Sequence, residues 1–174
     1  MRELETGRLM LRELTRRDTR AIFENWARDP EVSKYMTWTA HRDVSVTERI
    51  VEHWLEEYEK PGCYRYIIEL KGYTLPIGMI DVVEYRDGVP VVGYCSGRRF
   101  WGNGYMTEAL GAVKEELFAD GYDTIIIEAV AENIGSNRVI QKCGGELVSS
   151  EKKPLSDIKN EPVTVNSYRI RKDG

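Results

Sequence analysis

Two glycines one residue apart interrupt the stretch Arg99 to Leu110, RFWGNGYMTEAL, between an aromatic pair and the first turn of an amphipathic helix. A strand that enters such a turn and continues as a helix leaves the first amides of that helix unpartnered and pointing at one spot. The helix dipole adds roughly half a positive charge there, and the missing Cβ atoms at Gly102 and Gly104 let anionic oxygens approach the amides. Arg98 and Arg99 bring two cations to the same place. Phosphate is the anion this arrangement suits. No G-K-[ST] ending follows, as a nucleotide P-loop requires, and no third glycine completes a dinucleotide fingerprint. On the spacing alone, a turn that serves only chain reversal stays open.

The elements around the turn follow from periodicity. Arg8 to Leu14 (RLMLREL) alternates as a half-buried strand does. Capping residues between Thr15 and Asp18 start a helix carrying Ile22, Phe23 and Trp26, which Pro30 stops. A second helix places Val46, Ile50, Trp54, Leu55 and Tyr58 on one face and closes at Pro61-Gly62. Strands are predicted over Tyr64 to Leu70, Leu75 to Tyr85 and Val89 to Ser96, with Asp87-Gly88 as a hairpin signal, so an antiparallel meander precedes the glycine turn. After it come a helix from Tyr105 to Asp120 and an apolar, β-branched strand, Thr124 to Ala131, of the kind buried on both faces. A short helix from Gly135 to Cys143 and strands near Glu146 to Lys152 and Val163 to Arg171 complete the order β-α-α-β-β-β-α-β-α-β-β in a single domain, residues 1–174.

A chain of 174 residues, 41% hydrophobic and 31% charged, is large enough to bury one core and lies outside the disordered range. Its net charge of −4 argues against nucleic acid or a membrane surface as partner, since both need a concentrated basic field. Charges interrupt every apolar stretch near the N-terminus, and no run approaches the ~18 residues of a membrane helix, so a cytoplasmic location is expected. Three scattered cysteines fit reduced thiols, and with only two histidines besides, no metal site is expected.

The residues between Arg99 and Gly104 match the R/Q-x-x-G-x-G/A signature of the GNAT superfamily of acyl-CoA-dependent N-acetyltransferases, and WGNGYMTEAL resembles the family's WGxGYxTEAL throughout. Glu132 to Gly145, ENIGSNRVIQKCGG, is similar to the family's xNxxSxRVLEKxGF, and the segment LETGRLMLRELTRRDTRAIFENWARDPEVSKYMTW resembles the start of the branch that includes the ribosomal-protein N-terminal acetyltransferases. Three ordered motifs span nearly the whole chain. The resemblance implies an α/β (α+β) GNAT fold: a mixed, mostly antiparallel twisted sheet with a splayed central strand pair and flanking helices. It also implies acetyl-CoA as acyl donor and a primary amine, on a small molecule or a protein N-terminus, as acceptor. Monomer and homodimer are both compatible with it.

On the same resemblance, the pyrophosphate of coenzyme A rests on the amides from Arg99 through Met106, with Gly102, Asn103 and Gly104 as cradle and Tyr105 opening the helix. Pantetheine runs along Tyr94, Cys95 and Ser96 as an extra strand would, Asn133 meets one of its amides, and Lys142 or Arg138 reaches the 3′-phosphate. Ser136 is the candidate donor to the departing thiolate; as a residue near a helix start it is equally suited to be an N-cap. Glu84, Asp81 and His41 are the candidate bases. Cys95 lacks a histidine partner and reads as an apolar strand residue rather than a nucleophile. Glu108, in the first turn of the glycine helix, is expected to face away from the phosphates.

Two positions depart from the pattern. Gly144-Gly145 replaces the usual glycine-phenylalanine, which is expected to loosen the packing there, and Val91-Val92 stands where many relatives carry a carboxylate, so the base is not assigned by resemblance. A non-catalytic acyl-CoA-binding sensor or interaction module is the alternative to an enzyme.

Overall fold

In the computed structural model, which describes residues 2–172, the first alternating segment forms strand β2 (Leu9–Arg12), with Leu9 and Leu11 fully buried. A two-residue strand, β1 (Leu4–Glu5), pairs antiparallel with it; it is too short to carry a sequence period. Arg12, at the end of β2, pairs with Asp18 and Glu69 at 2.8 and 2.7 Å, and Asp18 accepts the amide of Thr15 at 2.7 Å. The start of the first helix is thereby fixed to the sheet.

That helix is not continuous to Pro30. A short α1 (Thr19–Ile22) widens into a π turn over Phe23–Ala27, and Pro30 opens a separate helix, α2 (Pro30–Ser33), capped by Asp29, whose side chain accepts from Glu31 N. Proline fits the first helical position because its missing N–H has no partner there in any case. The second helix expected from the sequence is α3 (Val44–Glu57), N-capped by Asp43, whose side chain accepts from Ser45 N, and it ends ahead of Pro61-Gly62. Its most buried positions are Thr47 and Val51, one position round from the stripe read through Val46 and Ile50. Tyr58, just beyond it, donates to Arg65 O and accepts from Leu14 N, tying α3 to the sheet.

Strands β3 (Arg65–Leu70), β4 (Leu75–Arg86) and β5 (Val89–Ser96) form the meander. Asp87 and Gly88 both take positive φ, the conformation of a two-residue hairpin turn. After the glycine turn come helix α4 (Tyr105–Ala119), strand β6 (Thr124–Val130), helix α5 (Ile134–Lys142), and strands β7 (Glu146–Lys153) and β8 (Val163–Arg171). One eight-stranded sheet results, in the order β1-β2-β3-β4-β5-β6-β8-β7, antiparallel except between β5 and β6. Period-two alternation divides its two faces. Tyr66, Ile68 and Ile80 pack with Leu110, Val113 and Leu117 of α4 on one side, while Ile67 and Met79 pack with Ile22, Trp26 and Val51 on the other.

The parallel pair is the irregular part. Strands β5 and β6 are in register only at Val91↔Ile126 and Val92↔Ile127. Beyond Val92 they diverge, which opens a gap flanked by Gly93 to Ser96 on one side and Glu128 to Val130 on the other.

Candidate active site

The glycine turn has the form that phosphate binding requires. Gly102 and Gly104 have φ of +76° and +77°, a region L side chains rarely adopt, and a Cβ built on Gly102 would meet no atom within 4 Å. The space beside the turn is therefore open rather than filled by the protein. Gly104 caps α4 without any side-chain hydrogen bond, so the first-turn amides, Tyr105 and Met106 among them, are left for an outside acceptor. Asn103 folds back, its amide donating to the carbonyls of Phe100 and Trp101 at 3.1 Å.

The two arginines ahead of the turn lean elsewhere. Arg98 pairs with Asp29 at 3.1 Å, and Arg99 donates to Asn25 Oδ1 at 2.8 Å with its guanidinium over the Phe100 ring. Both cations are thus engaged by groups away from the turn. Arg8, which the sequence did not single out, reaches it from the β1–β2 turn and donates to Asn103 O at 2.9 Å. Glu108 explains this reach: it accepts from Thr6 Oγ1 (2.6 Å), Arg8 N (2.8 Å) and Arg8 Nε (2.7 Å). Burial alone would raise its carboxyl, but these bonds outweigh that and hold it below the usual range. The carboxylate thus serves the N-terminal segment. Cys143 Sγ donates to Thr107 O at 3.5 Å, which brings the end of α5, with the exposed Lys142, beside the first turn of α4.

At the splay, Asn133 and not Ser136 is the N-cap of α5, accepting from Ser136 N at 3.2 Å. The Ser136 hydroxyl is thereby released and lies 2.9 Å from the Tyr94 hydroxyl. That pair bridges β5 to α5 across the gap. Burial pushes the Tyr94 phenol up, so it stays protonated and able to donate. Asn137 holds α5 in place: it donates to Val130 O and accepts from Tyr168 at 2.6 Å, roles no local pattern announces. At the end of β5, the Ser96 carbonyl accepts from Trp101 Nε1 at 2.9 Å.

Tyr94, Cys95, Asn133 and Ser136 line a cleft of about 700 Å³ together with all three candidate bases. Glu84 is its least suited base, being half exposed and paired with Arg86 at 2.5 Å. His41 is half-buried, its Nδ1 lies 2.8 Å from Thr47 Oγ1, and burial lowers its pKa, so the imidazole is neutral at pH 7. Asp81, opposite Gly93 in the β4–β5 ladder, is pushed up to about 6, burial prevailing over the neighbouring Arg65 at 3.1 Å. Burial, with the Asp81 charge beside it, raises the Cys95 thiol to about 12, which keeps it protonated and a poor nucleophile. Among the described residues no cluster of His, Cys, Asp and Glu could hold a metal ion, and no helix is long and apolar enough to cross a membrane.

The model of the acetyltransferase (GNAT) domain family matches residues 8–146. The chain belongs to the GNAT acetyltransferase family. It is similar to an uncharacterized N-acetyltransferase, p20, of Bacillus licheniformis, at 31% identity over 136 residues, 77% of this chain and 74% of the relative. Its fold is that of the acetyltransferase of Salmonella typhimurium that modifies the N-terminal serine of ribosomal protein L7/L12 (TM-score 0.85, 16% identity, 99% of this chain and 100% of that one). It is likewise that of the microcin C7 self-immunity acetyltransferase MccE, solved with acetyl-CoA and AMP (TM-score 0.84, 18% identity, 96% and 94%).

As a GNAT member the protein is an acyltransferase whose donor is acetyl-CoA. In this chain β5 and β6 part after two rungs, and the space beside Gly102 is open. The departure at Gly145 has an effect opposite to the loosening expected. A Cβ there would lie 2.4 Å from Ile140 Cγ2 and 2.9 Å from Ile140 O, so the glycine lets the chain close directly onto the buried end of α5.

Proposed function

We propose that the protein acetylates a primary amine by direct attack on the thioester in a ternary complex. The observation that carries the reading is the Tyr94–Ser136 hydroxyl pair spanning the splay, 2.9 Å apart, in a cleft that Asp81 and Glu84 of β4 also line. Donor binding is assigned to the amides from Arg99 through Met106 for pyrophosphate, to Tyr94, Cys95 and Ser96 with Asn133 for pantetheine, and to Lys142 for the 3′-phosphate.

In the reaction the amine nitrogen bonds to the thioester carbonyl carbon, and the C–S bond breaks with its electron pair left on sulfur. Asp81 takes the amine proton: a carboxylate with its pKa near 6 is largely ionised at neutral pH and still a useful base. His41, neutral in the same cleft, ranks second, and Glu84, held by Arg86, ranks third. The Tyr94–Ser136 pair donates to the departing thiolate. Holding the two reactants together supplies the largest share of the acceleration, on the order of 7–11 kcal/mol. The protonated Cys95 supports direct transfer over an acetyl-cysteine intermediate, and three free cysteines suit a cytoplasmic enzyme.

Calorimetric titration with acetyl-CoA, followed in the same sample by thiol release on a panel of amines and peptide N-termini, tests the proposal. Binding with release supports it. Binding without release on any acceptor favours a CoA-binding sensor, and no binding at all refutes the assignment of the glycine turn.

A further inference from the structure

The acceptor half of the cleft has a composition that selects among amines. Three of the chain's four tryptophans, Trp26, Trp38 and Trp54, line it, joined by Tyr35 on the loop after α2. Trp38 and Trp54 are only partly buried and pack on the smaller core cluster, so they present ring surface to the cleft. Its charged lining is balanced: Arg65, Arg86 and Lys153 against Asp81, Glu84 and Glu128. Every one of these carboxylates has a cationic partner within the lining. Asp81 meets Arg65 at 3.1 Å, Glu84 meets Arg86 at 2.5 Å, and Glu128 meets both Arg86 and Lys153 at 2.9 Å. Lys159, between β7 and β8, donates to the carbonyls of Ser33 and Met36 at 2.5 and 3.0 Å, which holds this hairpin loop against the end of α2, and its residue Leu155 lines the cleft.

From these observations we infer that the acceptor is a monoamine bearing an aromatic or large apolar group close to the nitrogen, and not a polyamine or aminoglycoside. The inference rests on the transferase reading above. Each extra ammonium group of a polycation needs a carboxylate to replace the water it leaves, and here the carboxylates are already neutralised while Arg86 and Lys153 repel it. Flat apolar groups gain by burial against aromatic walls, and a single amine, which attacks in its neutral form, needs no carboxylate beyond Asp81 as its base. The same chemistry occurs in a free arylalkylamine and in a peptide that begins with an aromatic residue.

The test compares kcat/KM at saturating acetyl-CoA for phenethylamine, a phenylalanine-initiated tripeptide amide, spermidine and kanamycin. The expected result is a rate for one or both aromatic amines at least roughly tenfold above both polycations. Preference for the free amine or for the peptide identifies the source; equal or faster acetylation of spermidine or kanamycin overturns the inference. Trp38→Leu, with Trp38→Ala beside it, is expected to raise KM for the preferred aromatic amine by roughly tenfold while leaving KM for acetyl-CoA unchanged. If acetyl-CoA binds but no amine releases thiol, the transferase reading fails by itself. Selectivity is then read from tryptophan fluorescence, where quenching by phenethylamine alone upholds the inference and quenching by spermidine alone overturns it.

Discussion

Replacing Gly102 by alanine separates the cost of a strained turn from the cost of a blocked cradle. At φ +76° an alanine pays roughly 1–2 kcal/mol for the left-handed conformation. Gly72, in the β3–β4 turn, offers a matched control: its φ is +78°, and there too a built Cβ meets nothing within 4 Å. Both variants are therefore expected to lose the same stability, about 2–8 °C of Tm for a chain of this size. They part on donor binding. A methyl group at Gly102 stands in the open space beside the helix amides, and each charge-assisted hydrogen bond it removes from a phosphate is worth ~1.5–3 kcal/mol. Calorimetry is then expected to show acetyl-CoA affinity lowered by roughly 10- to 150-fold for Gly102→Ala and unchanged for Gly72→Ala. Equal Tm losses with wild-type affinity in both variants would refute the phosphate assignment and leave the glycine pair as a turn only.

Three further outcomes are expected. Ser136→Ala and Tyr94→Phe each lower kcat by about 100-fold with donor affinity intact, and the double variant is little worse than either, because the two hydroxyls act as one donor; additive losses in stopped-assay rates would contradict this. Asp81 has a folded pKa raised from 3.8 to about 6, so its contribution to stability is complete below the unfolded value and is lost as pH rises through about 6. Urea titrations between pH 4 and 7 should accordingly show the stability of wild type falling relative to Asp81→Asn, whereas a constant difference would mean the carboxyl is not perturbed. Glu108→Gln is expected to raise KM for acetyl-CoA by about 5- to 10-fold with kcat nearly unchanged, since the bonds from Thr6 and Arg8 support the glycine turn and do not touch the acceptor; a fall in kcat alone would place Glu108 elsewhere in the mechanism.

Features written in short-range pattern were legible in the sequence. The meander, the Asp87-Gly88 turn, the glycine turn and helix α4 appear where periodicity and turn chemistry put them, because each depends on neighbours a few residues away. What escaped depends on partners distant in the chain. Strand β1 exists only because β2 offers it an edge, and Arg8 gains its role from Glu108, a hundred residues on. Ser136 was readable as a helix cap or a donor; that Asn133 takes the cap and Tyr94 meets the Ser136 hydroxyl from another strand is not written in the local pattern. Trp38 and Tyr35 follow the break between the π turn and α2, and both line the cleft.

The parting of β5 from β6 after two rungs also divides what substitution can reach. Hydrogen bonds offered by main chain survive exchange of the side chains that carry it, so the arm of the cleft built from strand backbone and helix amides is insulated from most point changes. The wall made of Tyr35, Trp38, Trp54 and the Lys159 strap has no such insulation, since there the side chains themselves form the surface. A library confined to that wall should retune which amine is acetylated while the grip on the thioester carrier stays as it is.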